Sequence, residues 1–164
     1  MPDPPRGEAD LRALSERFSE AEQRIRALIA RAASGDRRSL LREALITLVA
    51  LRGLDFRTPV LAAYLASLRE AGGGARARTV RDLAGSLAQK LDGGVQTAEA
   101  SARDAFRVVT EENLEVVRDD AVTAHVDDRG TRWPLDAWAE MNTQTIGRQA
   151  STRGSQTRSA RAGR

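Results

Sequence analysis

The chain has 164 residues and a formal net charge of +3, a length that suits one medium-sized domain. It contains no cysteine and a single histidine, which excludes disulfides, thiolate metal sites and histidine-based metal clusters. Hydrophobic residues make up 41% of the chain but aromatic residues only 4%. This composition favours a mainly α fold, a bundle of four to six helices with narrow apolar contacts between them. No run of 18 apolar residues is present, so no membrane span is expected.

The first half of the chain, residues 8–71, is predicted to be a helical segment that follows a disordered start at residues 1–7. Apolar residues recur at steps of three and four over residues 11–29, which is typical of one face of a helix. The run Ser34-Gly35-Asp36 should end this helix and cap the next one.

The most apolar stretch of the chain, residues 39–54, predicts the second helix. Its apolar residues extend almost around the helix, so it should lie at the centre of the bundle or in an interface between copies. One apolar stripe consists of Leu41, Leu45, Leu48 and Val49, and it is widened by Leu40, Ala44, Ile46 and Leu51. A third helix should start at Thr58-Pro59, where proline suits the first turn, and should end before a flexible joint at the glycines of residues 72–74.

The second half, residues 75–152, is predicted to be another helical segment. Its apolar spacing predicts a helix that Asp92-Gly93-Gly94 interrupts, followed by a longer helix from Thr97. The longer helix either reaches His125 or gives way to a short extended piece, because apolar and polar residues alternate over residues 122–126.

A final helix is predicted to begin near Pro134, because proline disfavours the helical conformation in the preceding residue and suits a first turn. A turn or small hairpin near residues 122–133 should lead into this helix. Gly147 and Gly154 mark where helical order is expected to fade, and residues 153–164 are predicted to form an arginine-rich flexible tail.

Both tryptophans of the chain lie at the start of this final helix. The predicted partner-binding residues are Trp133, Leu135, Trp138 and Met141. Tryptophan is enriched at the energetic centres of interfaces, but a bundle with few large side chains also uses it to close its core. We expect Trp133 chiefly to stabilise the fold and Trp138 chiefly to contact a partner.

A distinctive order of residues covers positions 122–154. It consists of Val126-Asp127, Gly130, Arg132-Trp133-Pro134-Leu135, Ala137-Trp138-Ala139-Glu140-Met141 and Thr145. Together these residues resemble a signature of the phage minor capsid protein 2 family, which is related to head morphogenesis proteins typified by the F protein of phage Mu. Gln144 stands where the family usually has arginine, and Trp138 stands where tyrosine is common. Family members usually continue into a part with cysteines and histidines, and no function of that part is transferred here.

The resemblance implies a non-enzymatic role in the phage head, with assembly in the bacterial cytoplasm. Family members are encoded near the portal protein, enter the prohead in few copies, and assist head assembly or genome delivery. The expected partners are therefore the portal protein or the major capsid protein. No cofactor, catalytic site or metal site is expected, because the paired carboxylates at 111–112, 119–120 and 127–128 have the character of solvated faces.

The basic character of the chain belongs to its last residues, since residues 148–164 carry five arginines and no acid while the preceding 147 residues sum to −2. The candidate nucleic-acid-binding residues are Arg148, Arg153, Arg158, Arg161 and Arg164. Arginine suits phosphate contacts, but the tail has no aromatic residue for base stacking. A solubilising end is the alternative for the tail. The alternative functions for the chain are a helical nucleic-acid-binding accessory protein and a helical oligomerisation module.

Overall fold

The computed structural model describes the backbone of residues 6–69 and 77–162 and the side chains of residues 9–66 and 78–153. The described residues form α1 (Arg6–Ala32), α2 (Arg37–Arg52), α3 (Arg57–Arg69), α4 (Ala77–Val108), α5 (Leu114–Asp120), β1 (Thr123–Val126), β2 (Arg132–Pro134) and α6 (Leu135–Ala162). The prediction of a mainly α fold, with a small hairpin before a final helix, is confirmed. The predicted joint at residues 72–74 lies outside the described residues.

The chain divides into two compact units that alternate along the sequence. The first consists of Met1–Ser15, Asp55–Lys90 and Glu140–Arg164. The second consists of Glu16–Leu54 and Leu91–Ala139. In the described part of the first unit Tyr64 is the largest fully buried side chain, and in the second unit Phe18 and Phe106 fill the same role. The predicted segments 8–71 and 75–152 stay predictions.

Aspartates cap the first turns of two helices. The Asp36 carboxylate accepts hydrogen bonds from the backbone amides of Arg38 and Ser39 at 3.1 and 3.4 Å, which satisfies two donors that the first turn leaves open. Asp55 accepts in the same way at the start of α3. The prediction that Ser34-Gly35-Asp36 ends one helix and caps the next is confirmed, because α1 ends at Ala32 and α2 begins at Arg37.

The structure decides which part of the wide apolar surface of α2 is buried. The buried residues are Leu40, Ala44, Leu48 and Leu51. Of the predicted stripe, Leu48 is buried, Leu41 and Leu45 are half-buried, and Val49 is 53% exposed. The buried residues therefore come from both parts of the predicted apolar surface, Leu48 from the stripe and the other three from the residues that widen it. Apolar residues extend almost around this helix, so their spacing alone does not decide which side faces the core.

Helix α4 passes through Gly93 and Gly94 without a break, so the predicted interruption there and the predicted new helix at Thr97 are wrong. The buried residues of α4 keep helical spacing on both sides of the glycines and include Leu83, Leu87, Leu91, Val95, Ala98 and Ala102. An uninterrupted buried stripe outweighs the roughly 1 kcal/mol that each glycine costs in a helix interior.

The C-terminal end of α4 is held by an arginine from the start of α2. The Arg37 guanidinium donates hydrogen bonds to the carbonyl oxygens of Phe106, Arg107 and Val109. A cation at this end also suits the negative pole of the helix dipole. Because α4 stops at Val108, the helix does not reach His125, and the extended alternative for residues 122–126 is the correct one.

Helix α6 begins directly after Pro134, as predicted, and continues through Gly147. The expected loss of helical order at Gly147 therefore does not occur, and the backbone is still helical at Gly154. A Cβ atom at Gly147 would lie 3.2 Å from Leu11 Cδ1, so the glycine allows the first unit to pack closely at this point. None of the helices in the described ranges is long and apolar enough to cross a membrane.

Candidate functional site

The hairpin β1–β2 in the second unit is shaped by Asp127 and Gly130. The Asp127 carboxylate accepts hydrogen bonds from the amides of Arg129 and Thr131, both at 2.9 Å, and these bonds lower the pKa of Asp127, chiefly through the Thr131 amide. Gly130 has a φ of +81°, a conformation that residues with a Cβ atom adopt only at an energetic cost. These two residues therefore fix the turn between β1 and β2.

Three rings lie together beside this turn. The Trp138 ring stacks on the His125 ring, with centroids 4.3 Å apart and planes 20° apart, and Trp133 meets Trp138 edge-on at 6.4 Å. Trp133 Nε1 donates to the Asp127 carboxylate at 3.3 Å. The hairpin places His125 opposite Trp133, which explains why all three rings meet. This aromatic cluster of His125, Trp133 and Trp138 joins the hairpin to the first turn of α6.

The aromatic cluster explains why glycine interrupts the otherwise good helix-forming sequence of α4. A Cβ atom at Gly94 would lie 2.6 Å from Trp138 Cδ1 and 2.8 Å from Trp138 Nε1, closer than real atoms approach. At Gly93, by contrast, an added Cβ would meet nothing within 4 Å. Gly94 therefore serves the packing of the Trp138 indole against α4, a role that the local sequence does not reveal.

The structure brings together only some of the predicted partner-binding residues. Trp133 and Trp138 are in contact, and both are half-buried. Leu135 is fully buried and therefore belongs to the core of the second unit rather than to its surface. Met141 is half-buried and falls in the first unit. The contacts of Trp138 with Gly94 and His125 also make it a packing residue, so the expected division of roles between the two tryptophans does not follow from the structure.

The exposed residues next to the aromatic cluster form a small surface on the hairpin. We call this the hairpin surface, and its exposed side chains are Val126, Asp128, Arg129, Thr131 and Arg132. Val126 is 48% exposed and lies opposite Arg132 in the β ladder. Arg132 Nη1 lies 4.0 Å from a carboxylate oxygen of Asp120, an exposed pair of small energetic value. An apolar side chain among arginines on a rigid hairpin can contact a protein partner.

A buried glutamate lies beneath the start of α6. Glu22, in α1, is 2% exposed and accepts a hydrogen bond from the Asp136 amide at 3.2 Å. Burial raises the pKa of Glu22 to about 7, although the Asp136 amide and the Arg26 guanidinium, 3.6 Å away, oppose this change. The apolar periodicity of α1 gives no sign of Glu22, because its burial depends on where α6 packs.

The predicted nucleic-acid-binding arginines are only partly described. Arg148 and Arg153 are exposed on α6. Arg158 and Arg161 lie where the backbone is helical, but their side chains are outside the described part, and Arg164 lies outside the described residues altogether. Within the described side chains, no group of three or more histidine, aspartate or glutamate residues is placed to hold a metal ion.

Comparisons with known proteins add no relative to this description. No protein-family model, no curated protein and no solved structure matches the chain.

Proposed function

We propose that this protein is a minor capsid or head morphogenesis protein of a phage, which binds the portal protein or the major capsid protein through its hairpin surface. The observation that carries this proposal is that residues 122–138 of the family-like stretch form one structural element, the hairpin with the first turn of α6. Within this element, Trp133 contacts both Asp127 and Trp138.

The arrangement suits recognition of a protein partner. Asp127 and Gly130 fix the turn, and Trp133 and Trp138 tie the hairpin to α6. Such a rigid support limits the conformational entropy that the hairpin surface would lose on binding. Val126 supplies an apolar contact at the centre of this surface. The protein would act in the virion head and would meet its partner in the bacterial cytoplasm during assembly.

A nucleic-acid-binding accessory protein is the second candidate, because Arg148 and Arg153 are exposed on α6. In the first proposal these arginines contact packaged DNA as an additional partner. In the second they make the principal contact. The salt dependence of DNA binding, described in the Discussion, separates these two roles from a solubilising one.

The test is co-purification with portal and major capsid proteins, which the proposal expects to be encoded near this gene. The double variant Val126→Glu/Arg132→Glu replaces the apolar contact and reverses one charge of the hairpin surface. We expect this variant to lose at least about tenfold in affinity, since the centre of an interface commonly contributes ~2 kcal/mol per residue. Arg103→Glu, at an exposed position of α4, is the matched control and should bind normally.

Thermal unfolding of each variant shows whether a loss of binding reflects a loss of fold. If the intact protein associates with neither the portal nor the capsid protein, the proposal is wrong. Equal binding by the hairpin variant and the control would place the contact elsewhere on the protein.

A further inference from the structure

The outward face of α2 is an apolar surface that the structure leaves exposed. Ile46 is 63% exposed and Val49 is 53% exposed. We call this surface the α2 face. It is lined by Arg38, Leu41, Arg42, Leu45, Ile46, Val49 and Ala50. Single exposed apolar residues are common, but several in one continuous groove indicate a binding surface.

The α2 face has a definite charge. It includes Arg38 and Arg42 and no acidic residue. The one glutamate in α2, Glu43, lies away from the groove and pairs with Arg24 at 2.9 Å. Arg42 makes no ion pair with any acidic residue in the described part of the chain. A partner for this face should therefore combine an apolar centre with acidic neighbours.

The short helix α5, in the same unit, carries a surface of this kind. Val116 is 70% exposed, the largest fraction among the exposed large apolar residues of the described part. Its exposed helical neighbours are acidic and comprise Glu115, Asp119 and Asp120, with Glu111 and Glu112 in the turn before the helix. Asp120 lies 4.0 Å from Arg132, and the described residues provide no ion pair for the side chains of the other four. We call these five acids with Val116 the α5 surface.

We propose that the α2 face of one copy binds the α5 surface of a second copy, so that the protein assembles head to tail. The two surfaces match in chemistry, because exposed Ile46 and Val49 on one can contact exposed Val116 on the other, and the arginines of one meet the acids of the other. Pairing of two α2 faces would instead bring four arginines together with no acid from either groove. A contact between two different surfaces leaves one copy of each surface free on a dimer. Further copies can therefore add, and the assembly grows into a ring or a filament.

The size of the surfaces sets the strength of this assembly. α2 has 16 residues and α5 has seven, so their contact falls below the roughly 1,600 Å² of a standard stable complex. We therefore expect weak association that grows with protein concentration. Added salt should weaken it further, because exposed charge pairs are screened at high ionic strength.

The experiment uses two single variants of the full chain, Ile46→Glu and Val116→Glu. Each places a carboxylate at the centre of one surface and leaves the other surface intact. Both positions are exposed, so neither change disturbs the core. We expect sedimentation to show large species for the intact protein at high concentration and monomers for each variant alone. An equimolar mixture should form one-to-one dimers and nothing larger, because each dimer retains one intact contact and two carboxylate-bearing surfaces.

Three outcomes would overturn the proposal. In the first, the intact protein stays monomeric at high protein concentration and low salt. This result would overturn the proposal even if the α2 face bound an acidic helix from another protein. Another is Val116→Glu protein that assembles like the intact chain, which would indicate pairing between two α2 faces. The third is a mixture that remains monomeric. Circular dichroism of both variants checks that the helices are retained, and the result does not depend on portal or capsid binding.

Discussion

The hairpin region and the α2 face use their apolar side chains in opposite ways. Around the hairpin, the rare residues of the chain are engaged within the second unit: Trp138 stacks on His125 and rests against Gly94, and Trp133 bonds to Asp127. On α2, common aliphatic residues such as Ile46 and Val49 remain exposed.

This difference shows that a rare side chain is not by itself a sign of a binding surface. A bundle with so few aromatic residues uses its tryptophans to join elements that have no other large contact. Helix α2 already packs one side against the core. An aliphatic residue on its opposite side is not needed to join elements of the fold and remains exposed. Binding surfaces are therefore better identified from exposure than from the identity of the residue.

The largest effect is expected from a charge on the buried side of α2. Leu48 is fully buried, and Leu48→Asp would place an unpaired carboxylate in the core. We expect a loss of at least about 4 kcal/mol in the free energy of unfolding, enough to unfold a marginal domain. Val49→Asp, on the exposed side of the same helix, should change the free energy of unfolding by at most about 0.5 kcal/mol. Chemical denaturation of both proteins would show whether the two sides of α2 differ.

A smaller effect on the free energy of unfolding is expected at Glu22, which lies beneath the start of α6, and this effect depends on pH. Because its pKa rises from 4.5 to about 7 on folding, its contribution to stability is full below pH 4.5 and is lost as pH rises through about 7. This loss amounts to at most about 3 kcal/mol. Glu22→Gln cannot ionise, so we expect it to be more stable than the intact protein near pH 8. The two proteins should converge at acidic pH.

Glu20→Gln, at an exposed position of α1, controls for the change in net charge. Thermal melts of the intact protein, Glu22→Gln and Glu20→Gln from acidic pH to about pH 8 would show whether the ionisation of Glu22 lowers the stability. Parallel pH profiles for the intact protein and Glu22→Gln would mean that Glu22 is not buried beneath α6.

The two adjacent glycines of α4 should respond in opposite directions. Gly94→Ala would drive a Cβ atom into the Trp138 indole and should cost about 1–3 kcal/mol. Gly93→Ala meets open space in a helix interior and should stabilise the protein by roughly 1 kcal/mol. In the double variant Gly94→Ala/Trp138→Ala, the alanine at position 94 should cost nothing further. If Gly94→Ala is as stable as Gly93→Ala, the indole does not rest on α4.

The smallest effect is expected from removal of the arginine-rich residues 153–164, where the measured quantity is DNA binding rather than stability. Removing residues 153–164 deletes Arg153, Arg158, Arg161 and Arg164. If all four contact phosphates, the slope of log affinity against log salt should become less steep by about 3–4. An unchanged slope would assign these residues a solubilising role.

The sequence predicts those parts of the fold that have local signals. Asp36 marks the start of α2, Pro134 marks the start of α6, and Gly130 allows the turn between the strands. The interruption of α4 was predicted wrongly, because Gly94 is required by Trp138, which comes from a distant part of the chain.

The same limit applies to the candidate surfaces. Which side of α2 faces the core, and whether Glu22 is buried, depend on packing between helices rather than on spacing within one helix. The predicted partner-binding set contained Leu135, which the start of α6 places in the core. Val126 and Arg132 lie in the family-like stretch, but only the register of the hairpin shows that they form one exposed pair.

Trp138 and Ile46 represent the two uses of apolar side chains, because Trp138 packs within the fold while Ile46 is a surface residue. The most direct measurement is the free energy of unfolding of Trp138→Ala and Ile46→Glu at low protein concentration, where self-association does not contribute. We expect Trp138→Ala to lose about 2 kcal/mol or more and Ile46→Glu to stay within about 0.5 kcal/mol of the intact protein. An unchanged stability of Trp138→Ala, or a large loss for Ile46→Glu, would contradict the account.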